Sequence, residues 1–194
     1  MKKLAKILLF SILLNSFFTS RAQLKSTTGN TFQTDVENVI IDYPNSFQHY
    51  IGDQLVANPQ STDYSSLLKI RGSEECMITK HPAKKRDRYS FQAVLLTTDD
   101  FDKAKDTFSS FYNQLNSLSL RFANQAFSLK GVYESPEEEK KFTSTVFSID
   151  PLEEGIKHMK VELLMEYALP DWKVKLLVYE KEREDSERGD IKDN

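Results

Sequence analysis

A single cysteine in 194 residues cannot form an intrachain disulfide, so the fold must be held by packing. Cys76 stands in Cys76-Met77-Ile78, a strand-like setting in which a free cysteine behaves as a small buried hydrophobe. No base or charge-stabilising neighbour marks it as a reactive thiolate. Glycine is almost as scarce. Six are present, and none forms a phosphate-cradling loop or a Gly-x-Ser-x-Gly nucleophile elbow. The three histidines, His49, His81 and His158, are far apart in sequence, and no His-Glu-x-x-His pattern sets two zinc ligands on one helical face. No apolar run approaches the roughly 20 residues of a helical membrane span.

The first twenty-two residues carry the strongest signal. Lys2, Lys3 and Lys6 precede the apolar run Ile7–Leu14, and Ser20-Arg21-Ala22 sets small residues three and one before a cut. This is the pattern of a secretory signal peptide over residues 1–22. Asn15 interrupts the run too early for a span, so no stable membrane span is expected after processing. Cleavage after Ala22 puts Gln23 first, and no lipid anchor on a new N-terminal cysteine is expected. The short leader and its Ala-Gln junction resemble those of exported proteins of Bacteroidota-type Gram-negative bacteria, a likeness confined to the targeting segment. The expected location is the periplasm or the medium.

Processing removes four basic residues and no acidic one, which moves the formal charge from -3 to -7. Nucleic acid is therefore not an expected partner, because backbone binding needs concentrated Lys and Arg. The local cluster Lys80, Lys84, Lys85, Arg86 and Arg88 reads as a solvated turn between strands. A polyanion is the alternative it offers.

Along the mature chain, residues 23–30 read as a polar, flexible lead-in, residues 31–180 as one domain, and residues 181–194 as a charged, flexible tail. Phe32, Val36, Val39, Ile40 and Tyr43 recur at helical spacing, with a start expected near Thr34 or Asp35 and an end before Pro44. Residues 44–64 are expected to pack without long regular structure. Strands are expected around Leu68 and Ile70, over Cys76–Lys80, and through Tyr89, Phe91, Ala93 and Leu95. Phe101, Ala104, Phe108, Phe111, Leu115 and Leu118 then define a helix with a continuous apolar face. Its expected cap is Thr98 or Asp99. Strand patterns resume through Phe127, Leu129, Gly131 and Tyr133, then from Phe142 to Ile149. Val161–Tyr167 and Trp172–Val178 form a hairpin across Leu169-Pro170-Asp171. The predicted class is α+β, a predominantly antiparallel sheet with helices packed mainly on one face. The opposite face is expected to be open, partly covered by residues 44–65, or used for association.

The residues assign no catalytic, cofactor-binding or metal site. Asp99, Asp100 and Asp102 lack the alternation and glycine of a calcium loop and suit a helix start instead. Glu162 and Glu166 do not stand out from an acidic strand face as a glycosidase pair. Trp172 and the eight tyrosines are spread along the whole mature chain, so they define no patch. The expected function is an exported soluble binding or interaction domain, more a binder than an enzyme. Its partner is an unspecified envelope protein, glycan or small molecule. A small envelope hydrolase with a non-motif active site and a carrier of a small apolar ligand are the alternatives. Two close carboxylates in a cleft, or a serine within reach of a histidine, would favour the hydrolase.

Overall fold

The computed structural model describes residues 31–84, 86–122, 125–152 and 154–180. The expected leader, lead-in and tail lie outside the described residues. Helix α1 (Thr31–Asp42) and one 3-10 turn (Tyr43–Asn45) lead into strands β1 (Ile51–Asn58), β2 (Ser61–Ser66), β3 (Glu75–His81) and β4 (Arg88–Thr98). Helix α2 (Phe101–Ser117) follows. The chain then returns through β5 (Ser119–Phe122), β6 (Gln125–Lys130), β7 (Phe142–Asp150), β8 (Met159–Ala168) and β9 (Asp171–Glu180). The strands form one nine-stranded antiparallel sheet in the order β1-β2-β3-β4-β9-β8-β7-β6-β5. Both helices pack on one face, as the patterning predicts.

The apolar stripe of α2 explains its place. Ala104, Phe108 and Leu115 are fully buried, and Phe101 meets Trp172 of β9 with ring centroids 5.1 Å apart. Beneath them lie alternate residues of the central strands: Phe91, Val161, Leu163, Val174, Leu176 and Phe147, each nearly or fully inaccessible. The space between α2 and the sheet is thus filled by the protein's own side chains. Asp100, rather than Thr98 or Asp99, caps the helix. Its carboxylate accepts the Lys103 amide at 3.1 Å, while Thr98 Oγ1 accepts the Asp100 amide at 3.2 Å.

Helix α1 begins at Thr31, three residues before the earliest expected start. Successive helical residues turn by about 100°, so Phe32, Val36, Val39 and Ile40 form a buried stripe flanked by Gln33 and Glu37 on one side and Asp35 on the other. The flanks bind different parts of the fold. Gln33 Nε2 donates to the Ser119 carbonyl, and Glu37 Oε1 accepts the Arg121 amide at 2.6 Å. Asp35 accepts the Arg71 amide at 2.8 Å. One helix therefore ties β5, at one edge of the sheet, to the loop between β2 and β3.

Four segments differ from expectation. Residues 51–66 form a β1–β2 hairpin at the sheet edge instead of irregular cover on the second face. Every residue of β1 from Asp53 to Asn58 is exposed, so no face of this strand needed an apolar alternation. Leu68 and Ile70 lie before β3, not in a strand. The Ile70 amide is directed to Cys76 Sγ at 3.4 Å, which anchors the loop to the buried thiol. Strand β5 follows α2 at once and carries one fully buried apolar side chain, Leu120. Finally, β6 stops at Lys130, short of Gly131 and Tyr133. The Gly131 amide donates to Asn116 Oδ1 at 3.1 Å, and its carbonyl accepts from Tyr112 Oη at 2.9 Å. Those bonds draw the chain onto α2 instead of continuing the ladder.

Candidate functional site on the helix-free sheet face

Strand alternation sends a second set of side chains to the face without helices. On β9 these are Lys173, Lys175, Leu177 and Tyr179, which alternate with buried Trp172, Val174, Leu176 and Val178. Leu177 pairs with Gln92 of β4 on one side and Glu162 of β8 on the other. Farther along, Phe142 and Val146 of β7 are 53% and 45% exposed. Among the described residues, no element covers them.

At one end of this face lies a groove of about 460 Å³, lined by His81, Arg88, Tyr89, Ser90, Glu162, Leu177, Tyr179 and Glu180. Several of its groups are already fixed. Tyr179 Oη donates to Glu162 Oε2 at 2.8 Å. Burial, then the hydrogen bond and charge of Glu162, push the phenol up to about 12. His81 Nε2 and Ser90 Oγ stand 3.4 Å apart. The position follows from register, since His81 pairs with Arg88 and Thr79 with Ser90, making His81 and Ser90 diagonal neighbours across β3 and β4. Beyond the groove, Lys175 Nζ donates to Glu166 at 2.6 Å.

A second depression, about 180 Å³, lies at the same end of β4 and shares Arg88, Tyr89 and Glu180 with the groove. Its other lining includes Tyr43, Arg86, Lys157 and His158. Burial, ahead of the Glu180 charge, pushes the Tyr43 phenol up to about 12.

The residues weighed in the sequence are distributed as follows. The three histidines are separated: His49 bonds to buried Asp42 at the end of α1, His81 lies in the groove, and His158 lines the smaller depression. Among the described residues, no group of three or more His, Cys, Asp and Glu side chains is arranged to hold a metal ion. Of the basic cluster, Lys80 lies in β3, Arg88 begins β4, Lys84 and Arg86 fall between them, and Lys85 lies outside the described residues. Within it, Lys80 pairs with Asp87 at 2.8 Å and Arg86 with Glu180 at 2.8 Å, so part of its charge is met within the fold. The Asp87 hydrogen bond raises the Lys80 pKa, and the reciprocal bond lowers that of Asp87. Glu162 and Glu166 are four residues apart on one strand, or about 13 Å at the usual rise. That exceeds either glycosidase spacing, and each carboxylate has its own partner. Sequence reasoning missed Ser90 and the joining of His81 to Tyr179. The available signal was the outward-facing half of the alternation in β4 and β9.

No protein-family model, curated protein or solved structure matches the chain. Its fold and site geometry carry the functional argument. Among the described residues, no helix is long and apolar enough to cross a membrane.

Proposed function

We propose that this chain is an exported binding domain whose ligand rests on the helix-free sheet face, centred on the groove over Leu177. Export rests on the leader pattern of residues 1–22. The observation that carries the binding site is the meeting, in one depression of about 460 Å³, of an apolar floor, tyrosine rings and hydrogen-bonded polar groups. Small-molecule sites characteristically combine a volume of roughly 300–1,000 Å³ with mainly apolar lining and a few fixed polar groups. This size suits a small molecule or the end of a glycan better than a broad protein surface. An apolar cargo would also sit here, since the layer beneath α2 is filled by Phe108, Leu115, Phe147 and their neighbours.

The test uses the mature chain, residues 23–194, in two-dimensional amide NMR against libraries of small molecules and oligosaccharides. Shifts should cluster at His81, Ser90, Leu177 and Tyr179, and Leu177→Lys should abolish them while preserving the remaining spectrum. A hit that moves only α1 and α2, or no hit at all, removes the basis of this reading.

The hydrolase reading is favoured by the approach of His81 to Ser90. Against it, Ser90 lies within a strand whose neighbouring amides are engaged by β3 and β9, leaving no preorganised amide pair to hold an oxyanion. Covalent labelling of Ser90 by a fluorophosphonate, lost in Ser90→Ala, would establish that alternative; no labelling would reject it.

A further inference from the structure

The groove over Leu177 selects a chemistry as well as a size. Leu177 and the rings of Tyr89 and Tyr179 give it apolar surface, and Glu162 stands among them. Across the strands the neighbours of Glu162 are Leu177 of β9 and Val146 of β7, whose side chains carry no polar atom. Among the described residues, its one hydrogen-bond partner is Tyr179 Oη, 2.8 Å from Oε2. The second oxygen, Oε1, is left to accept from outside the fold. The same bond fixes the ring of Tyr179. Tyr179 faces Lys160 in the ladder and reaches diagonally to Glu162, a separation of roughly 7–8 Å that an aromatic side chain spans. On the β3–β4 side, His81 and Ser90 add two more polar groups, 3.4 Å apart.

Three ligand classes fit this arrangement poorly. A cation meets Arg88, and an anion meets Glu162 and Glu180, since both signs line the one depression. Like charges brought together oppose binding. A wholly apolar ligand would shut Glu162 Oε1 away from water without a donor, a cost that exceeds the gain from covering Leu177. We infer that the ligand of this groove is an uncharged sugar of a glycan, an inference that rests on the binding reading above and narrows it. The C–H face of a sugar ring covers Leu177 and packs on Tyr179, whose ring joins apolar area to a polar end. Its hydroxyls donate to Glu162 Oε1 and exchange hydrogen bonds with His81 and Ser90. Hydrogen bonds to an ionised acceptor are about twice as strong as neutral ones. Glu162 therefore orients the sugar, and the apolar surface holds it.

Amide NMR titration of the mature chain, residues 23–194, tests this with neutral trisaccharides of glucose, galactose, mannose, xylose and N-acetylglucosamine. Concentrations up to about 10 mM reach the weak affinity of a single sugar site. Uronate and amino-sugar trisaccharides form the charged arms. At least one neutral sugar should move Ser90, Leu177 and Tyr179, and its charged counterparts should bind at least about tenfold more weakly. Glu162→Gln keeps the shape and an acceptor for Tyr179, and should weaken binding about fivefold or more through loss of the charge-assisted bond. Phe142→Lys, on the same face beyond the groove, should leave the affinity unchanged. The spectra report whether each variant is folded. Charged sugars that bind as tightly as neutral ones overturn the inference, and so does a Glu162→Gln protein that binds like wild type. If some other small molecule occupies the groove and no neutral sugar does, the inference falls while the groove remains a binding site. With no ligand of any class at the groove, both readings fall.

Discussion

Replacing Gly131 with alanine probes the junction of α2 with the sheet. A Cβ at this position would lie 2.6 Å from Thr145 Cγ2 and 2.9 Å from two ring carbons of Phe147. Carbon atoms prefer separations of roughly 3.5–4.0 Å. Phe147 is fully buried and Thr145 is 3% exposed, so neither has free space into which to move. Relief must come from displacing Gly131, whose amide and carbonyl hold Asn116 and Tyr112 of α2. Overpacking costs about 1–3 kcal/mol, and weakening either hydrogen bond adds about 1 kcal/mol. Restricting the unfolded chain acts oppositely but by only about 0.4–1 kcal/mol. The expected net loss is about 1–4 kcal/mol, or a fall in Tm of roughly 2–15 °C for a domain of this size. Urea unfolding can be followed by Trp172, the single tryptophan, which is 5% exposed beneath Phe101. Thr145→Ser removes the nearest methyl while keeping a hydroxyl for the Val132 carbonyl, 3.3 Å away. Combined with Gly131→Ala it should restore at least about 0.5 kcal/mol relative to additivity. A Gly131→Ala protein as stable as wild type, or more stable, would refute the steric reasoning.

Three further outcomes follow from the same geometry. Asp100→Ala should cost about 0.5–2 kcal/mol, as loss of an N-cap does, whereas Asp99→Ala should cost less; equal losses in chemical melts would contradict the cap assignment. In an alkaline absorbance titration, Tyr43 and Tyr179 should ionise near their raised values of about 12. Their neutral forms favour folding below the ordinary tyrosine value near 10, and that contribution is lost as pH rises through about 12. Tyr179→Phe should delete one late-ionising phenol, and a single titration wave at the ordinary value would count against the burial argument. Cys76 is 6% exposed and engaged by the Ile70 amide and Ser73 hydroxyl. A thiol reagent should therefore react at the rate of local opening; immediate reaction in native buffer would show that the loop does not shield it.

The sequence exposed those elements whose burial repeats regularly. Phe101, Ala104, Phe108 and Leu115 follow one side of a helix, and Val174, Leu176 and Val178 one side of a strand, so period and burial coincide. Strand β1 offers no such repeat because water reaches Gln54, Leu55, Val56 and Ala57 in succession. Ser119–Phe122 is too short for alternation to stand apart from the helix before it. Gly131 looked like part of a strand because its removal from the ladder depends on Tyr112 and Asn116, well upstream. The groove was less legible still. Its members come from β3, β4, β8 and β9, and only the pairing of β4 with β9 brings Gln92 beside Leu177. His81 and Ser90 are nine residues apart, a separation that acquires meaning only when their strands align.

The attachment of α1 to both β5 and Arg71 gives the amino-terminal end of the domain a protective role. A protease cut after Asp42 that released this helix would uncover the Ser119 and Arg121 backbone groups and, with them, the core side chains that Phe32, Val36, Val39 and Ile40 cover. Losing the helix would therefore cost the domain part of its interior as well as the finish of its β5 border.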